Sequence, residues 1–199
     1  MEWLWTDRLP LGKLTLLVGD PSAGKSYLSL AVAAAITRDA PLPAGEEPAA
    51  PGSVVIYNSE DGPEDTLRPR ADLCEVDPAR AVLLDAFTVD GSRAGFTAGH
   101  IPALDRLLDA IENPRALVVD PVASIVGSGV DVYRDNEVRA ALDPLVELAR
   151  RRSIAVLGIA HMNKATALKA LYRVSVRLTR LRRAVLHAGR HRHAGTLSL

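Results

Sequence analysis

No run of apolar residues in this 199-residue chain reaches the length of a membrane span, although 48% of its residues are apolar. A spanning helix needs about 20 such residues in a row, so membrane-helix classes are not expected. The first residues lack a basic start followed by an apolar stretch and a small-residue cleavage site, so no secretory leader is expected. Cys74 is the only cysteine. One thiol cannot close an internal disulfide, which suits a reducing cytoplasm. The plain reading of Cys74 is a small buried hydrophobe. No segment repeats. The last absence is acid. Residues 1–147 carry all 24 acidic side chains and 12 basic ones, while residues 148–199 carry the other 12 basic residues and no acid. The formal net charge of +0 conceals this division. A split of this kind suggests a basic tail or face for polyanions.

What is present begins with Gly19-Asp20-Pro21-Ser22-Ala23-Gly24-Lys25-Ser26, which reads G-x-x-x-x-G-K-S. That is the spacing of a phosphate-binding loop. Its context agrees: Leu14 to Val18 is an apolar strand run, and Ser26 to Arg38 is rich in Ala and Leu. Backbone N–H groups and the positive end of the helix would surround phosphates. Gly19 and Gly24 permit backbone angles and close approach that a Cβ would block. Lys25 should reach the β- and γ-phosphates, the Ser26 hydroxyl should ligate Mg²⁺, and Tyr27 closes the candidate nucleotide-binding stretch.

Strand and helix patterns alternate, which predicts an α/β fold: a mostly parallel sheet with helices on both faces. Strands are expected near 14–18, 53–58, 81–85, 115–120 and 154–160, and helices near 25–38, 63–75, 101–112 and 135–151. The Pro-, Ala- and Glu-rich segment 39–52 and the Gly-containing segment 90–99 are expected as loops.

Three more positions carry candidate chemistry. Leu117-Val118-Val119-Asp120 is an apolar strand ending in a carboxylate, the pattern of an acid that holds Mg²⁺, usually through water. Asn58-Ser59-Glu60-Asp61 follows the second main strand. Hydrolysis needs a carboxylate to orient water, and Glu60 is the first candidate with Asp61 second. Both also suit capping of the helix that begins near Pro63. Pro121 follows Asp120 where another acid would stand in an AAA+ domain, so the placement favours a RecA-like one. The strand at 154–160 runs into His161, with Asn163 and Lys164 after it. A polar residue there can touch the γ-phosphate and report hydrolysis, or it can be structural. Residues 121–135 form either a loop facing a central pore or a plain mobile loop.

These motifs, in this order, resemble the RepA-type group of RecA-like P-loop ATPases, the hexameric replicative helicases of plasmids and phages. The likeness rests on Leu11-Gly12-Lys13-Leu14 through Ser26, Asn58 to Gly62, Leu67-Arg68-Pro69-Arg70, Val119-Asp120-Pro121 and Ala160 to Lys164. It covers about residues 3–173. It implies ATP and Mg²⁺ as ligands, Lys25, Glu60 and His161 as catalytic residues, and Ser26 and Asp120 at the metal. It also implies single-stranded DNA as partner and a homo-hexameric ring with ATP between subunits. The family carries an arginine that reaches the neighbour's site, and Arg173 and Arg183 are the candidates.

The likeness fades at Val176, where the family has glycine. The chain is therefore read as a RecA-like ATPase domain at 1–175 and a basic Arg- and His-rich tail at 176–199. Either the tail is a basic helix for DNA, through Arg177, Arg180, Arg182 and Arg183, or it replaces the family's closing strands. The abrupt loss of acids favours replacement, and with it a monomer and an ATP-binding module without motor activity. A P-loop kinase is the remaining rival. It would need an arginine-rich lid between the Asp120 strand and the last strand, which the sequence lacks.

Overall fold

The computed structural model describes residues 1–43, 45, 51–84, 87–89, 92–126, 134–161 and 185–188. Trp3–Trp5 (β1) and Leu9–Pro10 (β2) form a short antiparallel hairpin. Leu14–Gly19 (β3) leads through the glycine loop into Lys25–Arg38 (α1). Next come Ser53–Asn58 (β4), a π-helical turn at Pro63–Leu67, Arg68–Leu73 (α2) and Ala81–Leu84 (β5). Phe87–Val89 (β6) pairs antiparallel with Ser92–Ala94 (β7). A 3₁₀ turn at Ala98–His100 precedes Ile101–Asp109 (α3), Pro114–Asp120 (β8) and Ala123–Val126 (α4). Asp135–Arg152 (α5), Ala155–His161 (β9) and Val185–Ala188 (β10) follow.

The main sheet has the order β10-β3-β9-β8-β4-β5, and every neighbouring pair is parallel. Its five-strand body is made of the five strands expected from sequence, and β10 extends it beyond β3. Parallel strands need crossover helices, which cover both faces. Side chains alternate between faces along each strand, and the two cores follow that alternation. Leu17, Val54, Ile56, Val118 and Leu157 pack with α1, α2 and the β1–β2 hairpin. Leu16, Val55, Leu117, Val119 and Val156 pack with residues of α3, α4 and α5. Cys74 packs, half-buried, beside the first core. This is the α/β architecture of a RecA-like P-loop NTPase.

Several expectations shift in detail. The helix expected at 63–75 starts as a π turn, in which the Thr66 and Leu67 N–H groups both donate to the Gly62 carbonyl. Pro69 has no N–H for an α-helical bond, so regular winding starts only at Arg68. Segment 90–99 contains β7, because Phe87, Thr88 and Val89 carry the β preference that pairs across the glycine-rich stretch. The 121–135 segment opens with the short helix α4; residues 127–133, Gly127 and Gly129 among them, lie outside the described residues. Residues 44 and 46–50 of the 39–52 loop lie outside as well. Within 176–199 the described part is β10, whose Val185 and Ala188 stand opposite Leu16 and Gly19 of β3. Asn163, Lys164, Arg173, Arg177 and Arg183 lie outside.

The basic run at the end of α5 is neutralised locally. Arg150 pairs with Glu147, Arg151 with Asp105, and Arg152 with both Asp105 and Asp109. Three of the 12 cations counted in 148–199 thus answer acids from the earlier part of the chain. No helix among the described residues is long and apolar enough to cross a membrane.

Candidate nucleotide site

The sheet register brings the candidate residues to one edge. Gly19 at the end of β3 stands opposite His161 at the end of β9. Asn58 at the end of β4 stands opposite Asp120 at the end of β8. These are carboxyl ends of parallel strands, where ligands bind in open α/β sheets. The chain leaves β3 through α1 for β4, and β9 later returns to lie between β3 and β8. That change of direction opens the crevice.

The loop over this crevice is shaped by two left-handed residues. Ser22 has φ 60 and Gly24 has φ 83. Gly24 is the N-cap of α1, and a Cβ there would meet nothing within 4 Å. Its glycine answers the backbone angle, since L side chains strain at such φ. Gly19 is extended within β3, so the expected need for unusual angles holds at Gly24 and not at Gly19. Left-handed residues alternating with others are the backbone pattern of anion-binding concavities, and the Ala23 N–H closes the turn on the Asp20 carbonyl at 3.2 Å.

Lys25 is buried beneath the loop, at 3% exposure. Its Nζ donates to the Gly19 carbonyl at 2.9 Å and the Asp20 carbonyl at 2.7 Å. Burial pushes the ammonium below its ordinary pKa, against the pull of Asp120, Asp20 and Glu60, which favour the charge. In this arrangement Lys25 braces the loop that carries it. The neighbouring Ser26 hydroxyl donates to Asp120 Oδ2 at 3.0 Å. A hydroxyl and a buried carboxylate side by side are hard oxygen donors, the kind Mg²⁺ takes, so this pair fits the ion. Asp120 is itself held from two sides. Its carbonyl accepts from Ser59 N–H at 3.1 Å, and Val122 N–H donates to the Ile159 carbonyl at 2.9 Å. Gly158 of β9 leaves room for Val122, whose side chain a Cβ there would meet at 3.0 Å.

Across from the loop, Asn58 organises the next turn. Its Oδ1 accepts from the N–H groups of Glu60 at 2.9 Å and Asp61 at 2.8 Å. Glu60 is exposed at the tip, while Asp61 is half-buried and its Oδ2 accepts from Arg70 at 2.7 Å. A cleft of about 360 Å³ is lined by Ser22, Gly24, Lys25, Ser26, Tyr27 and Arg70. Tyr27 is 49% exposed at its rim. A larger cavity of about 470 Å³ lies at the opposite end of the sheet, among Ser53, Arg80, Val82 and Glu112. It is remote from every candidate residue.

The structure thus gathers Gly19 to Tyr27, Asn58 to Asp61 and Asp120 around one crevice, with the backbone of His161 beside Gly19. Arg173 and Arg183 lie outside the described residues. Asn58 and Arg70 were missed as site residues. An Asn closing a strand ahead of two acids is the signal that would have marked Asn58, since its side chain readily accepts from the next N–H groups. Arg70 stands in the Leu67-Arg68-Pro69-Arg70 motif, but the motif does not say which arginine reaches the cleft, and that is settled by tertiary packing.

No curated protein matches the chain. Residues 1–167 match the AAA domain family. That match takes in most of the chain and every strand of the site, and the protein belongs to the AAA domain family, whose domain is that of ATP-binding ATPases.

Proposed function

We propose that this chain is a Mg²⁺-dependent P-loop ATPase acting on DNA, a replicative helicase or a related replication ATPase of the cytoplasm. One observation carries the hydrolytic part. Lys25 under its loop, the Ser26–Asp120 pair and the Glu60 turn face one crevice at the carboxyl edge of the sheet. ATP is the substrate. The N–H groups of the loop cradle its phosphates, and Lys25 exchanges its carbonyl contacts for the β- and γ-phosphate oxygens. Bound Mg²⁺ would be held by Ser26 and, through water, Asp120, and would supply neutralising charge at the phosphates. Glu60 accepts the proton of the attacking water and aligns it with the γ-phosphorus. Asp61 ranks second, because it is half-buried within the turn and pairs with Arg70, whereas Glu60 is exposed at the tip. His161, at the β9 end beside Gly19, is the γ-phosphate sensor of this reading, and Arg173 or Arg183 the residue offered to a neighbour in a hexameric ring.

The link to DNA rests on the likeness in motif order and on the composition after Arg152, where the sequence has nine Lys and Arg and no acid. The second reading is an ATP-binding module without motor activity, because the family's closing strands are replaced after Tyr172-Arg173-Val174-Ser175. The single strand β10 at the β3 edge is the observation that weighs against a complete loss of that region. Measuring ATP hydrolysis with and without single-stranded DNA, together with mass by light scattering, separates the two. DNA-stimulated turnover by a hexamer supports the motor; a monomer that binds ATP but ignores DNA supports the module. A chain that binds no nucleotide sinks both.

A further inference from the structure

We infer that Arg70 is a second phosphate-binding cation of the cleft, and that its ion pair with Asp61 is a resting position it leaves when a nucleoside triphosphate binds. The inference rests on the P-loop reading and deepens it. Among the described residues lining the cleft, the cations are Lys25 and Arg70. They are held very differently. Lys25 is buried and bonded to two carbonyls of its own loop. Arg70 is 35% exposed along its side chain and gives one N–H to Asp61 Oδ2 at 2.7 Å. A guanidinium has five N–H donors in a planar fork, so one contact leaves most of its capacity unused among the described residues.

The competition between the two anions decides the exchange. An ion pair this open to water contributes little, because solvent screens it and long side chains lose freedom. A terminal phosphate offers more negative charge than a carboxylate and several acceptor oxygens, and arginine's fork matches it in two-point contact. The cleft places that phosphate beside the N–H groups of the glycine loop, which hold it in position for a two-point contact. Triphosphate therefore wins Arg70 from Asp61. A diphosphate ends one phosphate short and has a weaker claim, so the arrangement discriminates ATP from ADP.

The position of Asp61 gives the exchange a consequence. Asp61 belongs to the turn whose N–H groups Asn58 holds, and that turn carries Glu60. Asn58 Nδ2 also donates to Asp61 Oδ2 at 3.4 Å. When Arg70 leaves, Asp61 loses its cation and the charge beside Glu60 changes, only in the triphosphate state. The water-orienting turn is thus told which nucleotide is present.

The test is titration of the full chain with ADP and with the non-hydrolysable ATP analogue AMP-PNP, both with Mg²⁺. Arg70→Ala is expected to weaken AMP-PNP about tenfold, the loss of one charge-assisted contact, and ADP less than about threefold. Asp61→Asn is expected to tighten AMP-PNP relative to ADP, since Arg70 is no longer held back. The double variant should behave as Arg70→Ala does, because the two residues act as one unit. Arg70→Lys keeps charge without the fork and should fall between. If Arg70→Ala and Asp61→Asn weaken both nucleotides alike with a lowered melting temperature, the pair is a structural brace and the inference fails. If Lys25→Met abolishes binding of both nucleotides while Arg70→Ala leaves AMP-PNP untouched, the P-loop reading stands and this inference alone falls. Wild-type chain that binds neither nucleotide overturns both.

Discussion

Replacing Lys25 by Met should abolish nucleotide binding and leave the empty protein about as stable as wild type. Met has nearly the length of Lys and no charge, so it fills the same space. The Lys25 ammonium makes two hydrogen bonds, to Gly19 and Asp20 carbonyls at 2.9 and 2.7 Å. Bonds from a charged donor are each worth about 1.5–3 kcal/mol. Against them stands the removal of the ion from water, which costs several kcal/mol in real proteins. The lowered pKa says that burial outweighs the nearby acids. Met also leaves the Gly19 and Asp20 carbonyls without this donor, so the opposing contributions are of similar size and the Tm of the empty variant is expected within about 2–4 °C of wild type. The pH dependence gives an independent check. Lys25 titrates below its unfolded value of 10.5, so the unfolded chain binds this proton more tightly. The penalty is present in full below the folded pKa and disappears as pH rises past 10.5. Wild type should therefore gain stability in that alkaline window, and the variant should lack that gain. With ATP at about a hundredfold over its Kd, wild type is stabilised by about 2.7 kcal/mol and the variant by nothing measurable. Thermal melts with and without ATP·Mg²⁺, at neutral and alkaline pH, read all three effects. A variant that melts well below wild type without ATP refutes the balance drawn above. One that keeps the ATP-dependent shift refutes the phosphate-binding role.

Glu60→Gln should keep ATP binding and lower kcat by roughly 10²-fold, because the amide keeps the shape and loses the proton acceptor; a silent Glu60→Gln beside an inactive Asp61→Asn would move the base to Asp61. Asp120→Asn should raise the Mg²⁺ concentration needed for half-maximal turnover, since a negative charge beside the Ser26 hydroxyl is lost, and an unchanged Mg²⁺ titration would remove Asp120 from the metal. Deleting residues 176–199 strips β10 from the β3 edge at Leu16 to Gly19, so it should lower the melting temperature, while ATP binding persists because Lys25, Ser26, Glu60 and Asp120 all remain. If that tail also binds DNA, its loss should flatten the plot of log K against log salt by about 0.7 for each phosphate contact removed, and an unchanged slope would deny it that role.

The sheet was legible in the sequence because parallel strands buried on both faces read as unbroken apolar runs. Leu14 to Val18, Val54 to Ile56 and Leu117 to Val119 need no partner to declare themselves. The loop was legible because two glycines, a lysine and a serine at fixed spacing serve one local geometry, and Gly24 at φ 83 shows that geometry. The acids were legible as strand-end residues, since the ends of β4 and β8 share one edge whatever else the chain does. Order within the sheet was less accessible. That β9 lies between β3 and β8 follows from the whole sheet, not from any window of residues. The hairpin of β1 and β2 escaped notice because each strand is only two or three residues long and gains its place by packing Leu4, Trp5 and Leu9 on the α1 face. The same limit hid Arg70. In the sequence it is one of two arginines around Pro69, alike in type and spacing. In the fold they part: Arg68 pairs with Asp72 one turn along its own exposed helix, while Arg70 turns inward to Asp61 and the cleft beside the glycine loop. What separates them is helix geometry: both lie in α2, and residues two apart in an α-helix point to different faces. Pro69, which has no N–H for an α-helical bond, keeps the preceding turn from winding as regular helix and so fixes the height at which Arg70 stands over Asp61. Pro69→Ala should let α2 wind from Pro63 onward, rotate Arg70 away from Asp61, and weaken AMP-PNP binding more than ADP binding.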